Sequence, residues 1–475
     1  MAETGTRIDI PLDWQVYFNI PAYFVTYFGE VYFGTIWQLA DYPDRFFIVQ
    51  NDKLNTIRGL KSEDKTLENY RQLGREITDV RVIAMKPFTS LTGQRVDFGG
   101  VRYGDGQQFK RLFVFGAAAS SFCVYGKDSR SFRRLPLNPP CGYEVFDEKY
   151  DEIAKKYPGV QSSLPLFQAK NKSIEECLKE EWQVFSSSYN PEVACNHINI
   201  QFYLQELFQA VSKEVVQNHA RYNLYSVFLG KIRKHVSAYP HEKVSMVSFN
   251  YDVILDGFIR EVFGYHYLKM QDYINWNNKS VLLFKPHGSC NWGWRFDKNK
   301  IKLKDKKITE ALYDEKTEPW KIYFDLLGNM NQMISLNTWG HESGFDKYGR
   351  GRFTMNKNLL EIIPSISGEY YFPSLLLPYR DKDDVAMPYD HYYALNNGVL
   401  PNIQELYLIG WKGNEDVFNR QLKAAVNLKK IFIVNPKAYE VQHNLSKHLD
   451  LKKYEVVVVK DFEDFVLNRV DGILG

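Results

Sequence analysis

The chain has 475 residues, 44% of them hydrophobic and 25% charged, with a formal net charge of +3. That length suits two or three domains of about 100–200 residues, and the composition is that of a soluble globular protein. Nearly balanced charge argues against nucleic acid as a direct partner.

The opening MAETGTRIDIPLDW has no apolar core of a signal peptide. No run of about 18 apolar residues is present, so no membrane helix is expected. The five cysteines, Cys123, Cys141, Cys177, Cys195 and Cys290, are scattered and form no CxxC pair. Neither a disulfide framework nor a metal site is therefore expected, and the expected location is the reducing cytoplasm.

Residues 1–108 carry the aromatic run IPAYFVTYFGEVYFGTIW (20–37). DVRVIAMKPF (79–88) and QRVDFGGVRYG (94–104) read as strands, the latter turning at Gly99-Gly100. The segment reads as an N-terminal α+β extension. Its aromatics suit a partner or self-association surface and an ordinary core about equally.

Residues 109–475 contain six short apolar runs that end at Gly, Asn, His or Pro. They are RLFVFG (111–116), VSMVSFNYD (244–252), VLLFKPHG (281–288), LYLIG (406–410), KIFIVNP (430–436) and EVVVVKD (455–461). Runs that are continuous rather than alternating suit strands buried on both faces. The expected fold is α/β: a Rossmann-like open parallel sheet with helices on both faces. Residues 145–240 read as a mainly helical insertion. Within it, IQFYLQELFQAVSKEVVQNHARYNLYSVFLGKIRKHV (200–236) has apolar residues at helical spacing and a break near Tyr222-Asn223. RFDKNKIKLKDKK (295–307) reads as an exposed hairpin.

Ligands of open parallel sheets bind beyond the carboxyl ends of the strands, which draws attention to the residues there. GAAASSFCVYG (116–126) follows the first run; its small residues allow close backbone approach to a phosphate, and they also suit plain packing. Asn250 and Asp252 follow the second run, where an amide can hold a ribose or a water. An Asx turn with a helix cap explains them too. His287, Gly288 and Ser289 follow the third; an imidazole titrating near neutral pH can accept a proton, and a simple turn is the alternative. Gly410 and Asp416 in IGWKGNEDVF (409–418) follow the fourth.

The order GAAAS, FNYD, KPHGSCNW, LIGW…ED resembles the SIR2-like domains, the branch of the sirtuin superfamily found in bacterial anti-phage systems. Those domains carry GAGAS-, TNYD-, LHGSxNW- and IGYSxxxxD-type motifs. LPLNPPCGYEVFD (135–147) and FPSLLLPYRDKDD (372–384) are similar to their neighbouring segments, and the resemblance spans roughly residues 110–465.

It implies NAD as substrate, held by Gly116, Ala117, Ala118, Ala119, Ser120, Phe249, Gly288, Ser289, Gly410 and Asp416. It also implies Asn250, His287 and Asp252 as catalytic residues. Ala118 stands where the family has glycine. The absence of paired cysteines departs from the zinc module of sirtuin deacetylases. The implied activity is NAD+ hydrolysis to ADP-ribose and nicotinamide, latent until phage infection and then depleting cellular NAD. The implied partner is an activating protein (a short Argonaute, a HerA-like ATPase or a nucleotide-sensing protein) or further copies of the chain. Two alternatives stay open: an NAD- or ADP-ribose-sensing module without turnover, and an NAD-dependent deacylase or ADP-ribosyltransferase.

Overall fold

A computed structural model describes residues 108–126, 137–157, 191–275, 278–297, 369–376 and 386–474. It also describes 21–25, 31–39, 42–49, 66–76, 83–84, 302–303, 306–307, 332–335, 349–353 and 360–362, with positions 132, 135, 159–161, 163, 177 and 180.

The aromatic N-terminal run forms a hairpin of β1 (Pro21–Val25) and β2 (Val31–Leu39). With β3 (Tyr42–Val49), β4 (Gly74–Glu76) and β5 (Ile83–Ala84) it makes an antiparallel sheet of order β4-β3-β2-β1-β5, and helix α1 (Leu67–Leu73) packs on β3. Of the expected 79–88 strand only β5 is described, and the expected hairpin at 94–104 lies outside the described residues.

The first core strand, β6 (Gln108–Phe115), leads into the short helix α2 (Ala117–Ser121). Helices α3 (Pro191–Asn218) and α4 (Leu224–Ala238) then carry the chain to β7 (Glu242–Ser248). The helix break expected near Tyr222-Asn223 is present. Asn223 caps α4, its side-chain oxygen accepting from Tyr225 N at 2.9 Å. Helix α5 (Ile254–Phe263) crosses to β8 (Val281–Phe284).

A second sheet then intervenes, which the sequence patterns do not announce. Its strands are β9 (Gly288–Asp297), β12 (Gln332–Ser335), β13 (Gly349–Phe353), β14 (Leu360–Ile362) and β15 (Glu369–Leu375), in the order β12-β9-β15-β13-β14. The hairpin expected over 295–307 is shorter than expected. β10 (Lys302–Leu303) pairs with β11 (Lys306–Lys307), and residues 295–297 belong to β9. The core sheet resumes with β16 (Glu405–Ile409), helix α6 (Asp416–Gln421), β17 (Lys430–Val434), helix α7 (Ala438–Ser446) and β18 (Glu455–Val459).

The six core strands are all parallel, in the order β18-β17-β16-β6-β7-β8. This is the Rossmann-like α/β sheet the apolar runs imply. Leu112, Val114 and Phe115 of β6 are fully buried, as are Val281 to Phe284 of β8. Successive residues point to opposite faces, so both faces of these strands are covered. Tyr407 sits at the centre, stacked between Phe113 and Phe432 with ring centroids at 4.4 Å on each side. The chain runs β6, β7, β8 outward on one side and β16, β17, β18 on the other. The order therefore reverses between β6 and β16, the place where ligands of such sheets bind.

Among the described residues no helix is long and apolar enough to cross a membrane.

A buried histidine sets one testable property of this core. His391 is sealed among Trp292 and Tyr273, and its Nε2 donates to the Met270 carbonyl at 2.7 Å. Burial pushes its pKa down from 6.5 to about 4. The unfolded chain takes up this proton below pH 6.5 and the folded chain only below about 4, so protons favour unfolding in between. Stability is full above the unfolded value and falls, by up to about 3 kcal/mol, as pH drops across that window. Melting temperatures measured from pH 7 down to 4 should trace this loss, and His391→Gln should flatten it.

Candidate active site

The reversal point is built by two glycines in van der Waals contact. Gly116 follows β6 and its N–H donates to the Ile409 carbonyl at 3.0 Å. A Cβ on Gly116 would lie 2.6 Å from the Gly410 carbonyl oxygen and 2.7 Å from Trp411 Cα. Gly410 follows β16 with φ +59°, and a Cβ there would meet Ala119 N at 2.4 Å and Ala118 Cβ at 3.2 Å. Neither position has room for a side chain. The methyl of Ala118 thus lies beside the glycine of the late loop. Ala117 is exposed and Ala118 half-exposed, so this part of the loop faces solvent.

Asn250 lies two residues past β7 and is buried. Its Nδ2 donates to the Gly116 carbonyl at 3.1 Å and to Ser120 Oγ at 2.9 Å. Ser120 Oγ is 3.2 Å from the Tyr225 hydroxyl and also bonds to the Asp252 carboxylate. One proton arrangement satisfies all of these: Ser120 accepts from Asn250 and Tyr225 and donates to Asp252. Asp252 is buried, and its Oδ1 accepts from Ile254 N at 3.1 Å. Burial raises its pKa and Lys285 opposes the rise. The Asx-turn reading therefore describes the local geometry of Asp252, which reaches Asn250 only through Ser120.

The third strand end is tied into the same network. Lys285 is fully buried; its Nζ donates to the Asp252 carbonyl at 2.6 Å and pairs with Asp256 Oδ2 at 3.2 Å. Asp256 Oδ1 accepts from the Tyr273 hydroxyl at 3.0 Å, which accepts in turn from Asn291 Nδ2 at 2.9 Å.

His287 is half-buried at the end of this turn. Its ring meets Phe249 edge-on with centroids 4.9 Å apart, and Phe249 stacks on Trp411 at 5.4 Å with an interplanar angle of 8°. Phe418 closes the cluster against both Phe249 and Trp411. One aromatic cluster thus joins the ends of β7, β8 and β16. Around His287 the backbone is stapled to two residues that follow β15 in the chain. Leu376 N donates to the His287 carbonyl at 2.9 Å, and Ala386 N donates to the Pro286 carbonyl at 2.6 Å. Gly288 has φ +78°, and a Cβ on it would lie 2.0 Å from the Ser374 carbonyl oxygen. Only glycine fits.

The structure therefore gathers Gly116 to Ser120, Phe249, Asn250, Asp252, His287, Gly288 and Gly410 at one end of the sheet. Two expected residues stand apart. The Ser289 side chain is fully buried, and among the described residues its hydroxyl has no hydrogen-bond partner. Asp416 is exposed at the start of α6 and its Oδ1 is 3.1 Å from His448 Nε2.

Sequence reading missed Lys285, Asp256, Tyr225, Trp411 and Phe418. Only Lys285 gave a signal, a charge inside the apolar run VLLFKPHG. It also missed Asn419, Asn435 and Asn444, whose amides donate to the carbonyls of Gly413, Trp411 and Lys412 and hold the loop after β16. The Pro-rich stretch packs against α2. Ser121 Oγ donates to the Pro139 carbonyl at 2.8 Å, and Cys141 Sγ donates to Ser121 Oγ at 2.9 Å.

Among the described residues no group of three or more His, Cys, Asp or Glu is placed to hold a metal ion.

Lys285→Met leaves Asp256 buried without its partner and should cost about 3–5 kcal/mol in urea unfolding. Combined with Asp256→Asn, the loss should be well below the sum of the single losses, because the two side chains form one pair.

No protein-family model matches the sequence, and no curated protein matches it either.

Proposed function

We propose that this end of the sheet binds NAD+ and hydrolyses its nicotinamide–ribose bond, giving ADP-ribose and nicotinamide. The observation that carries the reading is the anchoring of Asn250 to both Gly116 and Ser120 where the strand order reverses, with His287 packed on the adjoining Phe249. A buried carboxamide, a half-buried imidazole and a loop of glycine and small residues lie together at this end of the sheet. The motif order that resembles the SIR2-like domains supports the same chemistry.

The nicotinamide leaves as a neutral base and positive charge builds on the ribose, as in glycoside cleavage. Catalysis then requires holding the ribose and placing water. Asn250 directs its amide protons to Gly116 and Ser120, which leaves its oxygen to orient the ribose hydroxyls or the water. His287 takes the water proton as the new C1′–O bond forms. The Asp252 carboxylate acts indirectly, fixing the Ser120 hydroxyl so that Asn250 keeps its rotamer. Gly116 and Gly410 bring peptide groups close enough for the pyrophosphate.

Unrestrained NAD hydrolysis would deplete the host cell, so the activity is latent in this reading. Infection by phage, through an activating protein or self-assembly, releases it.

Purified protein, alone and with products of neighbouring genes, should release nicotinamide and free ADP-ribose from NAD+ without an acylated substrate. His287→Ala should lower turnover about 10²–10⁴-fold while melting like the parent, and Asn250→Ala should lower turnover by a similar factor while also losing some stability, because it removes the bonds to Gly116 and Ser120. Wild-type rates in both variants would sink the assignment. Binding of NAD+ without nicotinamide release, under the conditions that activate the protein in cells, would indicate a sensor instead. Gly410→Val should abolish NAD+ binding in calorimetry, since its side chain would enter the Ala118–Ala119 backbone.

A further inference from the structure

The two side chains assigned to the chemistry are held by separate contacts. The Asn250 amide donates to Gly116 and Ser120, and the His287 ring packs on Phe249. Hydrolysis needs the amide and the imidazole at a set separation, because both must meet one ribose and one water.

Tyr251 links the two segments through its backbone and its side chain together. It shares a peptide group with Asn250, so their Cα atoms stand about 3.8 Å apart. Its carbonyl accepts from Cys290 N at 2.8 Å. Its hydroxyl donates to the Leu376 carbonyl, and Leu376 N donates to the His287 carbonyl at 2.9 Å. His287 and Cys290 belong to one short segment of chain. The bonds therefore close a ring that runs from Tyr251 to Leu376, to His287, along the chain to Cys290 and back to Tyr251.

This ring is braced from α3. The Tyr251 side chain meets Phe208 with centroids 5.3 Å apart, and it faces the His287 imidazole at 6.3 Å with an interplanar angle of 36°. The next residue of α3, Gln209, donates through Nε2 to the Cys290 carbonyl at 2.6 Å. Phe249 and Tyr251, on either side of Asn250, thus both approach the imidazole. Phe249 offers ring packing only, which constrains direction weakly. A hydroxyl bonded to a carbonyl prefers a narrow range of length and angle.

We infer that Tyr251 is a positioning residue, its hydroxyl clasping Leu376 so that the His287 imidazole keeps its place relative to the Asn250 amide. The role in turnover rests on the NAD reading; the clasp rests on the hydrogen bonds alone.

Tyr251→Phe removes the hydroxyl and keeps the ring. Misplacing a reacting group by about 1 Å can cost on the order of a hundredfold, so kcat for NAD+ should fall about tenfold to a hundredfold. KM and the dissociation constant of ADP-ribose should stay at the parent's values, the pattern of a group felt in the transition state only. Tyr203→Phe is the control, since the Tyr203 hydroxyl on α3 likewise donates to a backbone carbonyl, that of Val145. It should lower the melting temperature and leave kcat unchanged.

NMR of isotope-labelled histidine gives a readout that needs no turnover. The Cε1 signal of His287, assigned by its loss in His287→Gln, should shift in Tyr251→Phe and stay in place in Tyr203→Phe. A parental kcat in Tyr251→Phe would overturn the inference, as would an unmoved His287 signal. Tyr203→Phe matching either effect would overturn it too, since general loosening would then explain both. Should the parent release no nicotinamide, the NAD reading fails and the NMR comparison decides the clasp by itself.

Discussion

Asn250 holds two strand ends together with one amide group. Its protons reach the carbonyl of Gly116 after β6 and the hydroxyl of Ser120 on α2, while its own backbone leaves β7. The amide is buried, so an unmet donor there would cost on the order of 1–3 kcal/mol. That penalty fixes the rotamer, and the rotamer fixes how α2 sits against the second strand. The other features of the site follow from this geometry. Ser120 passes the constraint to Asp252 and Tyr225, and Lys285 carries it through the Asp252 carbonyl to the third strand. A continuous polar chain therefore runs inside an otherwise apolar core. Networks of this kind specify one arrangement when every member is satisfied.

Rigidity at the strand ends contrasts with access at the rim. Ala117, Ala118, His287 and Gly410 retain exposure, while the groups that orient them do not. This division suits a site whose reacting groups must meet a ligand but must not wander. His287 differs from Asn250 in its support. The amide is held by hydrogen bonds within the core sheet. The imidazole rests on an aromatic ring, and its backbone turn is bound to Leu376, just past β15, and to Ala386. The second sheet reaches both, since Cys290 N on β9 donates to the carbonyl of Tyr251, the neighbour of Asn250, at 2.8 Å.

Several conclusions were legible in the amino-acid order alone. Continuous apolar runs require burial on both faces, and that requirement led to the parallel sheet. The helix break at Asn223 was legible because asparagine caps helices through its own side chain. Gly116, Gly288 and Gly410 stood out as strand-end glycines, and each proves to sit where a Cβ would collide with backbone. These are local properties, set by side-chain size, polarity and backbone freedom, and a single sequence carries them directly.

Tertiary structure alone decided the rest. The second sheet escaped notice because GSCNWGWRFD neither alternates nor stays apolar; its pairing partner lies some 80 residues further along the chain, in EYYFPSL. Asp252 stood out only as a strand-end carboxylate, and the structure buries it against Ser120, through which it reaches Asn250. Ser289 and Asp416 looked equivalent to their neighbours, yet one is sealed and the other faces His448. Motif spacing places a residue at a strand end, but which way it turns depends on what packs against it. That packing is a long-range property, fixed only when distant segments meet and the buried polar groups among them find partners.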